Sequence, residues 1–137
     1  MPVSTAWVAR SYVSWASNGL NRLLGPHDAP EKAFDALFRS LEPVLGFGRT
    51  GRHDFLRLLG LLGLTDLRPG RCYLKGASGP LRGAALMFLG REPDGESIDR
   101  LEARCRGLAN CLGVEIQVVE ETLCEWQKRR KQRMVIG

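Results

Sequence analysis

No C-x-x-C pair occurs among the four cysteines, which stand at 72, 105, 111 and 124, and the only histidines are His27 and His53. No tetrahedral zinc spacing can be assembled from these, and the cysteines read as reduced, mostly buried thiols of a cytoplasmic protein. Long apolar runs are missing too. The longest, Ala84 to Leu89, falls far short of the roughly 20 residues that a membrane span requires. The N-terminus has no basic segment followed by an apolar stretch, so secretory and membrane classes are excluded and no membrane partner is expected. Aromatic residues make up only 7% of the chain, and no stretch alternates apolar and polar residues over a useful length, so β architecture is not indicated. What remains is a chain of 137 residues, 44% hydrophobic. That is enough apolar mass for one core, predicting a single helical domain over 1–127 followed by a basic tail over 128–137.

Net charge is +5, and it is segregated. Residues 1–64 carry seven basic and five acidic groups, 65–92 five and two, 93–127 three and eight, and 128–137 five and none. A basic middle from Arg49 to Arg82 and a tail of Lys128, Arg129, Arg130, Lys131 and Arg133 point to a polyanion partner. The same tail also reads as a solvated helix end, where cations are favourable in any case.

Helical periodicity predicts an all-α fold of about six helices. Ser4 or Thr5 caps a first helix that Gly25-Pro26 stops. A second begins after Asp28 with Pro30 in its first turn and carries Ala33, Phe34, Leu37, Phe38 and Leu41 on one face. Thr50 caps a third with Phe55, Leu58, Leu59 and Leu62 on one side. After an irregular stretch from Leu64 to Gly79, Ser78-Gly79-Pro80 opens a fourth helix and Ser97 a fifth, which ends at Gly113. Val114, Ile116 and Val118 have strand propensity, but no second strand is available to pair with them, so the last segment is read as helix.

Two glycine-rich turns carry the chemistry. In Val44-Leu45-Gly46-Phe47-Gly48-Arg49-Thr50, between two amphipathic helices, successive backbone amides can point at one spot, which suits a DNA phosphate in the manner of a helix-hairpin-helix. An ordinary tight corner between helices has the same appearance. Arg49 and Arg52 add mobile cations beside the fixed donors, and Gly48 is expected to need a positive φ. The second turn, Gly76 to Gly83, allows close backbone approach at Gly79 and places Arg82 where it can reach an anion; a plain capped helix start is the alternative. It has no Lys-Ser/Thr and no preceding strand, so neither nucleotide fingerprint applies. Asp54, one turn into the third helix, reads either as a catalytic carboxylate or as an acid held among arginines. Trp126 and Gln127 pair a stacking ring with an amide edge, although a core tryptophan beside an exposed neighbour looks the same.

Five blocks stand in the order found in one family. They are Ser11-Tyr12-Val13-Ser14-Trp15, Phe34-Asp35-Ala36-Leu37-Phe38, Gly46 to Thr50 with Asp54-Phe55-Leu56, Tyr73 to Ala84, and Val118 to Lys128. From about Trp7 to Lys128 the chain resembles the alpha-glutamyl/putrescinyl thymine pyrophosphorylase family, clade 3. The resemblance implies an all-α domain related to helix-hairpin-helix DNA glycosylases that acts in phage-type DNA hypermodification. There, pyrophosphorylated 5-hydroxymethyluracil in DNA exchanges its pyrophosphate for an amine such as glutamate or putrescine. Members are longer at the N-terminal side, so this chain is expected to correspond to the C-terminal portion, with a second chain as a possible complement.

On that resemblance Arg49, Arg52 and Arg82 supply cations for the departing pyrophosphate, and Asp54 or Glu120 accepts the amine proton. Gly46, Gly48, Thr50 and Gly79 belong to phosphate-holding turns, while Trp126 stacks on an extruded base that Gln127 reads. DNA and a small amine are the implied partners, and no cofactor is indicated by the residues. A non-catalytic DNA-binding module and a helical protein-interaction domain are the other readings open at this level.

Overall fold

The structure, a computed structural model, describes residues 4–23 and 26–136, with the side chains of residue 20 and residues 131–136 outside the described set. Among the described residues there are six α-helices and no strand: α1 Thr5–Leu23, α2 Pro30–Ser40, α3 Arg49–Leu61, α4 Ser78–Leu89, α5 Ile98–Leu112 and α6 Ile116–Ile136, with a 3₁₀ turn at Gly95–Ser97. The all-α expectation holds. The predicted stop of α1 at Gly25-Pro26 falls partly outside the described residues. The chain divides into two compact units, Met1–Gly70 and Arg71–Gly137.

In the first unit α2 buries Phe34, Leu37 and Phe38, followed by Leu41 just past its end. Spacings of three and four place these on one face, and Pro30 occupies the first turn, where a missing amide proton breaks no helix bond. Tyr12 and Trp15 of α1 meet Phe55 of α3, with ring centroids 6.1 and 6.0 Å apart. Trp15 Nε1 donates to Ser40 Oγ at 2.9 Å, which ties α1 to the end of α2.

Helix α3 departs from the periodicity reading in two ways. Gly48 is its N-cap and offers no side-chain cap, whereas Thr50 is exposed inside the first turn. Its buried face is Arg49, His53 and Leu56, while Leu58 and Leu62 are 53% and 63% exposed. The leucines dominate any hydrophobicity count, yet the unit's interior is closed by a histidine packed edge-on against Phe34, with centroids 5.7 Å apart.

The second unit is built on α4, α5 and α6 around Leu74, Ala84, Ala85, Leu101, Cys105, Val119 and Leu123. Helix α4 starts after Ala77, so Ser78 is inside the helix and does not cap it. Glycine is required where α4 meets α6. A Cβ at Gly83 would stand 2.3 Å from the carbonyl oxygen of Leu123, and one at Gly79 2.7 Å from Cys124 Sγ. Gly113 closes α5 at φ 65°, where a side chain is strained. Helix α6 runs from Ile116 through the basic tail, so the Val114 to Val118 segment enters a helix and not a strand.

Candidate nucleic-acid interface

The turn between α2 and α3 is anchored by its central side chain. Phe47 inserts between Tyr12 and Phe55, at centroid distances of 6.4 and 5.6 Å, and its amide bonds back to the Val44 carbonyl at 3.2 Å. Ser11 Oγ accepts the Leu45 N–H at 3.0 Å. With Phe47 turned inward, the flanking glycines lie at the surface. Gly46 has φ +79° and is the position that demands glycine. Gly48 does not: its φ of −70° with ψ −175° is extended backbone open to any residue, and a Cβ there would meet nothing within 4 Å. The positive φ expected at Gly48 therefore belongs to Gly46. What Gly48 provides is an uncapped, unobstructed approach to the first-turn amides of α3.

The arginines beside this turn are not the mobile cations the spacing suggests. Arg49 is buried at 9% exposure. Arg52 folds back over Phe38, its guanidinium carbon 4.3 Å from the ring centroid and Nη1 donating to the Phe38 carbonyl at 3.2 Å. His53 is buried, and that burial, reinforced by the charge of Arg49, pushes its imidazole down to about 4. A neutral ring follows at physiological pH. Asp54 is exposed, with Oδ1 3.7 Å from His53 Nδ1. Thr50 and Asp54 thus face solvent on the first two turns of α3.

In the second unit Arg82 is taken up by Glu92, its Nε donating to both carboxylate oxygens at 2.9 and 3.1 Å and its Nη2 2.8 Å from Oε1. This is the bidentate geometry proposed for an anion, filled by a carboxylate of the chain itself. Gly79 rests against α6 next to Gln127, whose Nε2 is 3.7 Å from the place of a Gly79 Cβ. Gln127 is buried at 7% exposure, and its Oε1 has no hydrogen-bond partner. Trp126 is half-buried beneath the guanidinium of Arg130, 5.8 Å from the ring centroid. Glu120 is buried at 7% exposure, one helical face with Leu123 and Gln127. The described residues therefore bring Gly46, Gly48, Arg49, Thr50, Arg52 and Asp54 to one turn and helix start in the first unit, and Gly79 against Gln127 in the second, while Trp126 meets Arg130 and Glu120 lies on the buried face of α6.

A family model for alpha-glutamyl/putrescinyl thymine pyrophosphorylase clade 3 matches residues 3–135. The chain belongs to that family. Comparison with curated proteins gives no match, and neither does comparison with solved structures. Membership accounts for the five ordered blocks at once and ties the chain to thymine modification, a chemistry whose substrate is related to DNA. Among the described residues no helix is long and apolar enough to cross a membrane. Nor do the described residues hold a cluster of three or more His, Cys, Asp or Glu placed for a metal ion. Glu102 escaped the sequence reading; it is a half-buried acid of α5 whose two oxygens accept the amides of Cys72 and Leu74. Nothing in the spacing of residues 72 and 102 announces that contact.

Proposed function

We propose that the chain binds DNA through the helix-hairpin-helix turn at Gly46–Arg49 and takes part in exchanging the pyrophosphate of pyrophosphorylated 5-hydroxymethyluracil for an amine such as glutamate or putrescine. The family match over residues 3–135 carries this reading. In the exchange the amine nitrogen bonds to the base-attached methylene carbon, the carbon–oxygen bond breaks, and pyrophosphate leaves with the electron pair. A carboxylate then takes the surplus proton from nitrogen. Asp54, exposed on the helix that leaves the Gly46 turn, suits that role. Glu120 is the other candidate, Arg49, Arg52 and Arg82 the candidate cations, and Trp126 with Gln127 the base-contacting pair.

The test is mass spectrometry of nuclease-digested DNA that carries the pyrophosphorylated base, after incubation with the chain and each amine. Appearance of the amino-substituted thymine supports the exchange, and its absence with every amine, with and without host extract, removes it. The second reading, a DNA-binding module without catalysis, is favoured by the pairing of Arg82 with Glu92 and of Arg52 with Phe38, which leaves those cations engaged. It retains the phosphate contacts. Log affinity for duplex should then fall with log salt at a slope of about −0.9 per phosphate held.

A further inference from the structure

A cavity of about 680 Å³ opens between α1 and α2 in the first unit, within the roughly 300–1,000 Å³ typical of small-molecule sites. It exists because the facing positions are small. Gly19 on α1 and Ala33 and Ala36 on α2 leave room that larger side chains would fill, and a Cβ at Gly19 would meet nothing within 4 Å. The floor is apolar, made by Trp15, Leu37 and Val44. Trp15 is fixed there by its bond to Ser40, so an indole edge is held in place as one wall.

The charged residues of the described lining, Arg22 and His27, are both basic. Asn18 spends one amide hydrogen on the Ser14 carbonyl at 3.0 Å, which leaves its second amide hydrogen for a ligand. Asn21 lies one turn further along the rim. Arg22, beside it, is exposed and pairs with no carboxylate among the described residues. His27 closes the end of the cavity with both ring nitrogens facing acceptors, Nδ1 at 2.5 Å from Asp66 Oδ1 and Nε2 at 2.7 Å from the Arg22 carbonyl. Both contacts favour the protonated ring, and the Arg22 carbonyl followed by Asp66 raises its pKa above the ordinary histidine value. The described lining contains no carboxylate.

We propose that the α1–α2 cavity is a binding site for a small organic anion with a planar apolar body, its ring lying against Trp15 and Leu37 and its anionic head taken by Arg22 with the Asn18 and Asn21 amides. A planar ring can pack against the Trp15 indole that its bond to Ser40 holds in place, and a single guanidinium at the rim matches one anionic head. The charged residues of the described lining are basic, so a diamine, which brings two cations, should bind less well than an anion. The cavity borders the Gly46 turn through Val44 and Ser11, but Arg22, Asn18 and Asn21, which would take the anionic head, lie apart from that turn and from Asp54 in sequence, so binding there is read without reference to DNA modification. An anionic head on a planar body comes from two sources, a free aromatic carboxylate or a nucleotide.

Titration of the isotopically labelled full chain with 3-indolepropionate, thymidine monophosphate and putrescine, followed by amide and indole N–H resonances, separates them. The expected result is that at least one of the two anions moves the Trp15 indole and the Asn18 and Asn21 side-chain signals. Arg22→Gln should then weaken that binding about tenfold, while Gly19→Phe abolishes it without loss of helical signal. Response to the carboxylate alone names a free acid as the ligand class, and response to thymidine monophosphate alone names a nucleotide. If Gly19→Phe fails to fold, Ala36→Phe closes the slot from the α2 side. No response to either anion, binding that survives a folded pocket-filling variant, or putrescine binding as well as the anions overturns the site.

Discussion

The carboxylate of Glu102 straddles Tyr73: Oε2 accepts the N–H of Cys72 at 2.9 Å and Oε1 that of Leu74 at 2.7 Å. Tyr73 is the residue between them, and at φ 53° it is, among the described residues, the non-glycine residue with a positive φ. Such a conformation is disfavoured for a side chain with a Cβ. An acid on α5 that accepts two amides on either side fixes it, and Arg71 stacks its guanidinium carbon 4.6 Å over the Tyr73 ring. Leu74 is thereby seated, fully buried, in the second core. Glu102→Gln keeps the shape but turns one acceptor into a donor facing an N–H, and should destabilise the chain by about 1–3 kcal/mol in urea unfolding. Glu102→Asp, unable to span both amides, should fall between wild type and Gln. Unchanged stability in both would show that the loop is held by other contacts.

The two glycines of α4 make separable predictions. Alanine is the better helix former by about 1 kcal/mol, so any loss must come from contact with α6. At Gly83 the obstacle is the backbone carbonyl of Leu123, which cannot move without shifting the helix, and Gly83→Ala should lower stability by about 1–3 kcal/mol. At Gly79 the obstacle is the thiol of Cys124, a side chain. Gly79→Ala should be milder, and Cys124→Ala should rescue it in a double-mutant cycle. Additive effects at Gly79 and Cys124 would contradict the packing geometry.

Much of this was legible and some was not, for identifiable reasons. The α2 face was legible because Phe34, Leu37, Phe38 and Leu41 are its large apolar residues and all of them are buried. The end of α5 was legible in Gly113. The α3 face was not, because Leu58, Leu61 and Leu62 outweigh Arg49 and His53 on any hydropathy scale although the helix buries that polar pair with Leu56 and leaves the three leucines exposed. Arg82 was assigned to a ligand because its partner Glu92 sits ten residues on, beyond the helix end, at a spacing no periodicity marks. The α1–α2 cavity was invisible for a different reason. It is made by residues that are small, and sequence patterns register what side chains fill, not what they leave open.

The two histidines should act in opposite directions on stability as pH changes. His53 has its folded pKa pushed down to about 4 by burial, against about 6.5 unfolded. Between those values the unfolded chain binds the proton more tightly, so stability is full above pH 6.5 and is lost as pH falls toward 4. His27 is raised, first by the Arg22 carbonyl and then by Asp66. Its contribution is complete below about pH 6.5 and disappears as pH rises through its folded value. Thermal melts across pH 4–8 should show a weakened acid limb in His53→Phe and a weakened upper limb in His27→Asn. Parallel curves for wild type and both variants would contradict these assignments.

Gly46 and Gly48 separate structure from binding within one turn. Gly46→Ala forces a Cβ into the left-handed region and should lower stability by about 1 kcal/mol. Gly48→Ala meets open space in extended backbone and should leave the melting temperature unchanged. The added methyl still stands in front of the uncapped amides of α3, so DNA retention at low salt should fall in Gly48→Ala. Retention equal to wild type would remove this turn from the phosphate contacts and leave the basic end of α6, with Lys128, Arg129 and Arg130 exposed, as the remaining candidate.

The two candidate carboxylates differ in environment, and that difference predicts how their variants diverge. Asp54 is exposed and 3.7 Å from a histidine that stays neutral at physiological pH, so Asp54→Asn should leave the melting temperature unchanged. Glu120 is buried on the inner face of α6, where its carboxylate is one cause of the raised Cys72 thiol, behind Cys105, burial and Glu102. Glu120→Gln removes a buried charge and should change stability measurably whether or not it touches substrate. If Asp54 accepts the amine proton, Asp54→Asn lowers turnover by roughly 10²-fold or more, while DNA affinity and melting stay at wild-type values. A loss of turnover in Glu120→Gln counts as catalytic only if it exceeds the fraction of chain unfolded at the assay temperature. Full activity in Asp54→Asn together with stability-matched loss in Glu120→Gln would discard both as the base and return the proton to solvent or to the departing pyrophosphate.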